Sequence, residues 1–278
     1  MNPSTEISYS PTHLPSPPND PRHPFNKVWR GSADGSVRLQ GIPQFDDPYA
    51  ERKWIKAHMA AVFRFWGKMG YGSGVEGCIT IRDPVLHGHH WINPIGVHFS
   101  SMTTSKLVLV DPEGNISPHG AQLPINAAGY FMHSAIHTAR PTISAVAHCC
   151  PSHGTAYSVF GVPVDTTTQD ACALYDNHTV VHDRENIVWE LGPKFRTAVI
   201  RNWGLLALGS TVDEAAHLLT RLDKQCYVQL RGIRDGTVIS KQDAEFSARV
   251  IQNAHNLYLS FQPEYELIVE ETGGAFLR

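Results

Sequence analysis

The chain has no surplus of charge of either sign. Its 23 lysines and arginines stand against 26 aspartates and glutamates, for a formal net charge of −3. That balance excludes the basic footprint by which nucleic-acid-binding domains neutralise phosphates, and no polybasic cluster marks a membrane contact. No apolar run approaches the ~20 residues needed to cross a bilayer. The first residues lack the charged-then-apolar layout of a secretory signal, so a cytoplasmic location is expected. Cysteine is scarce and odd in number: five residues, two of them adjacent, argue against a disulfide framework and for reduced thiols. What the chain does have is 42% hydrophobic content over 278 residues, enough for a sizeable core, and sixteen histidines, each of which needs its own argument.

Residues 1–24 hold Pro3, Pro11, Pro15, Pro17, Pro18, Pro21 and Pro24 among Ser, Thr and Asn. Such a composition cannot bury much apolar surface and reads as a disordered or extended arm, leaving 25–278 as the folded domain. Over 47–69 the recurrence of Trp54, Ile55, Met59, Val62, Phe63, Trp66 and Met69 predicts an amphipathic helix. Gly72-Ser-Gly74-Val-Glu-Gly77 spells G-x-G-x-x-G but follows a helix and opens the alternating strand Cys78-Ile-Thr-Ile-Arg82, the reverse of a dinucleotide fingerprint. Strands are predicted at 91–99 and 107–111, with His87, His89 and His90 in a glycine-containing loop just before the first, where they read as solvated. Further on, 186–191 reads as helix and 197–201 with 205–208 as a strand pair. Thr211 and Glu214 form a capping box that starts a helix to about 231. Ser240 caps a last predicted helix to about 259, followed by a Tyr- and Glu-rich tail. No internal repeat or linker is visible after the arm, which favours a single domain.

The densest chemistry lies in 126–161. A helix over 127–140 places His133 and His137 at i, i+4 on one face, with Arg140 a turn beyond. Pro141 closes it, 143–147 is apolar enough for an interior strand, and His148-Cys149-Cys150 follow at once. His148 and Cys150, two apart, project to the same side if the strand persists. This H-x-C pair reads either as a metal or acid/base half-site or as a hydrogen-bonded core histidine beside buried thiols. His133, His137 and Arg140 are expected to make structural hydrogen bonds.

Several segments together resemble the class II aldolase/adducin family, in its adducin-like, fungal-type branch: ITIRDP (79–84), WINPIGVHFS (91–100), NAAGYFMHSAIHTARP (126–141), AVAH (145–148), HGTAYS (153–158), RNWGLLALGSTVDEA (201–215) and FQPEYE (261–266). The resemblance implies an α/β fold, a three-layer α/β/α domain around a mixed or antiparallel sheet with a C-terminal helical extension, assembled as a tetramer or dimer. It also implies a divalent ion held by three histidines, two from an H-x-H and one from an N-H-G turn, polarising a carbonyl as a Lewis acid. A glutamate in the helix before the central strand serves as acid/base in the aldolases.

Against that pattern the chain keeps His148 alone. Cys150 stands where the second histidine should be, and Trp203 where the third should be, in Asn202-Trp203-Gly204. Gly129 occupies the place of the glutamate, Cys78 replaces a strand histidine, and the serines that anchor a substrate phosphate are missing. An indole N–H is a donor only and cannot ligate, and His148 with Cys150 falls short of the three protein ligands usual for catalytic zinc. The expectation is therefore no metal, or one zinc or iron on His148 and Cys150. The expected function is an enzyme of specialised metabolism acting on an unphosphorylated, partly aromatic or polyketide-like small molecule by C–C cleavage, decarboxylation or cyclisation. His148, Cys150 and Trp203 would be the catalytic set, and Cys78, His98, Gly129 and His153 would line the substrate pocket. The alternatives are a non-catalytic adducin-like interaction module and a metal-dependent lyase.

Overall fold

Asp47 begins the first described helix, α1 (Pro48–Lys68): its side chain accepts from the Tyr49 backbone N–H at 2.9 Å, and Pro48 takes the first helical position, where no N–H is needed. The computed structural model describes residues 39–72, 74–232 and 237–278, together with Ser32, Asp34, Ser36 and Val37. The proline-rich stretch 1–24 lies outside the described residues. The chain divides into Met1–Gly41 and Ile42–Arg278. In the first unit, Asp34 accepts from the Ser36 N–H at 3.0 Å in a local turn.

The second unit is built on seven strands: β1 (Cys78–Arg82), β2 (His90–Ile92), β3 (Val108–Val110), β4 (Ala145–Cys149), β5 (His178–Val181), β6 (Thr197–Ile200) and β7 (Gly204–Gly209). They form one sheet in the order β3-β2-β1-β4-β7-β6-β5. All neighbours are antiparallel except β5 and β6, which are parallel, so the sheet is mixed. The remaining helices are α2 (Ala127–Ala139), α3 (Ser152–Ser158), α4 (Ile187–Leu191), α5 (Val212–Leu230), α6 (Lys241–Ile251) and α7 (Ala254–Thr272).

Because strand side chains alternate, the sheet presents two different faces. Ile79, Ile81, Ala145, Ala147, Leu205 and Ala207 pack with Met59, Phe63 and Trp66 of α1, Leu218 and Leu222 of α5 and Phe261 of α7. On the other side Val146, Ala198, Ile200, Leu206 and Leu208 meet Ile136 of α2 and Ile187 and Leu191 of α4. The result is the three-layer α/β/α arrangement. None of the described helices is long and apolar enough to cross a membrane.

The Thr211 cap forms, accepting from the Glu214 N–H at 3.1 Å, while the Glu214 carboxylate accepts from the Ser210 N–H at 2.7 Å, one residue before the cap rather than at the cap itself. Two expectations differ. The strand predicted over 91–99 ends at Ile92, because Pro94 offers no N–H to a ladder and Gly96 turns the chain at φ +82°. The single C-terminal helix predicted from Ser240 is two. Asn253 interrupts it by accepting from the His255 N–H at 2.9 Å, so a second helix starts there and runs through Pro263 to Gly273 in the left-handed region. The short helix α3 and the edge strand β5 carry no strong periodicity, and nothing in the sequence pattern announced them.

Candidate functional site

β1 and β4 lie side by side with Cys78 directly opposite His148. His148, the next-to-last residue of β4, faces the α2 layer and is buried, 3% exposed. Cys150 follows on the same side, its Sγ 3.9 Å from His148 Nε2. The turn between β6 and β7 is tightened by Asn202 at φ +58°, a conformation asparagine tolerates better than most side chains. It delivers Trp203 against His148 with ring centroids 4.0 Å apart. These three residues, drawn from two separate parts of the chain, therefore converge. The Arg184 guanidinium lies over the Trp203 ring at 4.5 Å.

Behind them runs a buried chain of polar groups. Cys78 Sγ is 3.5 Å from His133 Nε2, and His133 Nδ1 is 3.0 Å from Thr80 Oγ1. The same hydroxyl is 2.9 Å from His137 Nε2, and His137 stacks on His90 at 4.3 Å. A hydroxyl has one proton, so Thr80 donates to one imidazole and accepts from the other, which fixes the two rings in complementary tautomers. Neither ring nitrogen of His90 has a hydrogen-bond partner among the described residues. The i, i+4 histidines of α2 thus form one half of a network whose other half is the alternating pair Cys78 and Thr80. Sequence reasoning placed them in structural hydrogen bonds. The missed signal was that a helix face with period four meets a strand face with period two.

Gly129, on the first turn of α2, has a packing reason to be glycine: a Cβ there would approach Cys78 Sγ to 2.9 Å.

No carboxylate is hydrogen-bonded to these imidazoles and thiols among the described residues, so desolvation sets their protonation. Burial, with a smaller contribution from the Arg184 charge, pushes His148 down to about 3. Burial also lowers His90 to about 4 and holds His133 and His137 well below the ordinary histidine value. The thiols move the other way, Cys78 up to about 12 and Cys150 up to about 11, again through burial. At neutral pH the site consists of neutral imidazoles and protonated thiols. Its ready chemistry is hydrogen-bond donation from a neutral ring N–H, as when a neutral histidine polarises a carbonyl, rather than attack by a thiolate.

The other sequence candidates fall elsewhere. His98 is exposed and caps the short turn Phe99–Ser101, accepting from the Ser100 N–H at 3.1 Å. His153 lies on α3, on the α5 side of the sheet, 3.4 Å from Asp223 and with its ring tilted against Tyr227 at 4.8 Å. His87 is exposed and His89 half-buried in the loop, whereas His90 belongs to β2 and is buried. A hollow of ≈ 380 Å³ lined by Phe65, Met69, His217, Arg221, Phe261 and Glu264 lies on the opposite side of the sheet and contains none of the candidates.

The donor set can be tested against the ion the family pattern implies. Among the described residues no group of three or more His, Cys, Asp or Glu is placed to hold a metal. His148 and Cys150 supply two donors, and the third position is an indole that cannot ligate. These residues do not fit an ion held by three protein ligands.

The family model described as the class II aldolase and adducin N-terminal domain matches residues 57–230. The meiotically up-regulated gene 14 protein of Schizosaccharomyces pombe is 34% identical over 244 residues, which cover 82% of this chain and 94% of that protein. Decarboxylase NovR of Streptomyces niveus is 32% identical over 237 residues, covering 81% and 87%. The solved structure of L-fuculose 1-phosphate aldolase from Glaciozyma antarctica PI12 superposes with a TM-score of 0.80 at 34% identity, over 84% of this chain and 96% of that one. With a domain match over most of the folded region, near full-length relatives and a shared three-layer fold, the chain belongs to the class II aldolase/adducin family.

Proposed function

We propose that the chain is an enzyme of specialised metabolism that stabilises an enolate or polarised carbonyl on an unphosphorylated, partly aromatic small molecule, in C–C cleavage, decarboxylation or cyclisation. The observation that carries this reading is the convergence of His148, Cys150 and Trp203, with ring centroids 4.0 Å apart and the sulfur 3.9 Å from the imidazole. Trp203, flanked by the His148 ring at 4.0 Å and the Arg184 guanidinium at 4.5 Å, supplies an aromatic wall of the site. His148, neutral and buried, donates its N–H to the carbonyl oxygen as negative charge develops there, an interaction worth most where water is excluded. Cys150 and Cys78, as protonated thiols, shape the pocket and contribute weak S–H donors. In the cleavage direction the electron pair of the breaking C–C bond passes to the enolate, the alcohol proton leaves to solvent, and solvent reprotonates the enolate carbon. The decarboxylase relative, 32% identical, supports carbanion-type chemistry on this scaffold. The family also suggests assembly as a dimer or tetramer in the cytoplasm.

The test uses 4-hydroxy-4-phenylbutan-2-one, an unphosphorylated aromatic aldol, with benzaldehyde release followed and the metal content of the same preparation measured. His148→Ala should lower kcat/KM by about 10²–10³-fold, the usual consequence of removing one donor to a developing oxyanion, with an unchanged unfolding transition. Unchanged turnover in that variant would place the chemistry elsewhere. Stoichiometric zinc or iron lost on His148→Ala would replace this reading with the metal-dependent lyase. No turnover of any aromatic aldol or acid by the wild-type chain would replace it with the adducin-like interaction module.

A further inference from the structure

We propose that the hollow between α1, α5 and α7 is a binding site for an α-amino acid with an apolar side chain. No strand residue lines it, and it lies on the opposite side of the sheet from His148, so the inference does not depend on the chemistry proposed there. Its volume of ≈ 380 Å³ falls within the usual range of small-molecule sites. His217, Thr220, Arg221 and Lys224 stand at i, i+3, i+4 and i+7, so α5 turns one face to the hollow. Ser260 and Glu264, four apart, come from α7. Phe65 and Met69, at the end of α1, join Phe261 in an apolar part, where the two phenyl rings meet edge to face at 5.5 Å.

The polar groups are sorted by sign. His217 is 9% exposed, and burial, with a smaller contribution from the Arg221 charge, keeps its ring neutral at about 4. Arg221 Nε donates to His217 Nε2 at 3.3 Å, and a guanidinium can only donate, so the ring carries its proton on Nδ1. That Nδ1–H has no hydrogen-bond partner among the described residues. Arg221 and Lys224 share the single carboxylate of Asp170, the lysine at 2.9 Å, which leaves one positive charge unmatched on the α5 wall. Glu264 is half-buried, with no hydrogen bond or ion pair among the described residues, so the α7 wall carries one unmatched negative charge. Thr220 and Ser260 donate their hydroxyl protons to the Ala216 and Asn256 carbonyls at 2.8 and 2.7 Å, so each has only lone pairs left to offer.

The hollow is therefore neutral in sum but split. An anion suits Arg221, Lys224 and the His217 Nδ1–H. A donor-rich cation suits Glu264, Ser260 and Thr220, three acceptors for the three N–H groups of an ammonium. A ligand with net charge of either sign would leave one of the two unmatched charges unanswered. A zwitterion answers both, and Phe65, Met69 and Phe261 take its apolar side chain.

The test is calorimetric titration of the full chain with L-phenylalanine and with its two halves. One is 3-phenylpropanoate, which lacks the ammonium; the other is 2-phenylethylamine, which lacks the carboxylate. L-Phenylalanine should bind about tenfold or more tightly than either, the span expected of one hydrogen-bonded charge pair. Glu264→Gln should weaken L-phenylalanine and the amine about three- to tenfold and leave the acid unchanged. Lys224→Gln should weaken L-phenylalanine and the acid by a similar factor and leave the amine unchanged, and Arg221 still holds Asp170 in that variant. His148→Ala should change none of the three. Failure of both L-phenylalanine and L-leucine to bind at ~10 mM, where even a weak site is occupied, overturns the inference. So do equal affinities for the three probes, binding that both α5 and α7 variants leave unchanged, or binding lost with His148→Ala.

Discussion

The two faces of the sheet handle buried polarity in opposite ways. On the α1, α5 and α7 side, several buried polar groups lean on carboxylates: His58 Nδ1 is 2.7 Å from Asp213, and Tyr71 donates to Asp223 at 2.8 Å while the Gly154 N–H donates to its other oxygen at 2.8 Å. On the α2 side, Cys78, His133, Thr80 and His137 are linked to one another with no carboxylate among the described residues hydrogen-bonded to them. A histidine held by a buried carboxylate is committed to that partner. A histidine kept neutral by desolvation alone keeps a donor or acceptor to offer. The difference separates polarity that fixes the fold from polarity left available for a ligand.

Acid is the strongest way to break this contrast. His90, His148, His133 and His137 all have folded-state values below the ordinary 6.5, the first two at about 4 and about 3. As pH falls below 6.5 the unfolded chain therefore takes up protons that the folded chain refuses. Their contribution to stability is full above 6.5 and is lost progressively as pH drops toward the folded values. Each costs about 1.4 kcal/mol per pH unit in that window, so four together consume much of an ordinary ~5–15 kcal/mol stability between pH 6.5 and about 5. Urea unfolding at pH 7.5, 6.5 and 5.5 should show a midpoint that is level across the first pair and falls sharply across the second. A flat profile would mean these imidazoles are not held neutral.

Restoring the acid of the aldolases is the next largest perturbation. Gly129→Glu would drive a side chain into Cys78 Sγ, 2.9 Å from the first added carbon, and bury a carboxylate among neutral imidazoles. Unpaired buried charge costs about 3–5 kcal/mol, and denaturant titration should show a loss of that order, with Gly129→Ala costing about 1–3 kcal/mol for overpacking alone. Partial recovery in the double variant Gly129→Ala with Cys78→Ala would show that the two positions are coupled. A stable Gly129→Glu chain would mean the α2 face has room for the lost glutamate, and the contrast between the faces would weaken.

Much of this architecture was legible from residue order. The apolar stripe of α1, the Thr211 cap and the alternation in 78–82 each encode a local rule, and the structure obeys them. His148 and Cys150 were legible as a pair because a strand end puts alternate residues on one side, and Trp203 because the segment around it resembles a ligand turn. What could not be read was the partner of each buried group. Spacing does not say that β1 lies beside β4, so it could not put Cys78 opposite His148 or Thr80 between two imidazoles. For the same reason His153 was expected to line the substrate pocket, although the turn into α3 carries it to the α5 side, where it meets Asp223.

The smallest expected effect tests the network most directly. Thr80→Val keeps the shape and the β-branched strand preference of the side chain and removes only the hydroxyl shared by His133 and His137, 3.0 and 2.9 Å away. Two buried ring nitrogens then lose their common partner, at a cost of about 1–3 kcal/mol, and the constraint that gave the rings complementary tautomers disappears. Thr80→Ser restores the hydroxyl at the expense of a methyl group and should recover most of the loss, an order that packing alone would not produce, because valine fills the space better than serine. Ring-nitrogen chemical shifts of labelled histidine should show both imidazoles neutral in the wild-type and Ser chains, each in a single tautomer. In the Val chain they should show exchange between tautomers. If Val is as stable as Thr and the tautomers stay fixed, the hydroxyl is not what ties the two histidines together, and the α2 face is held by shape rather than by its hydrogen bonds.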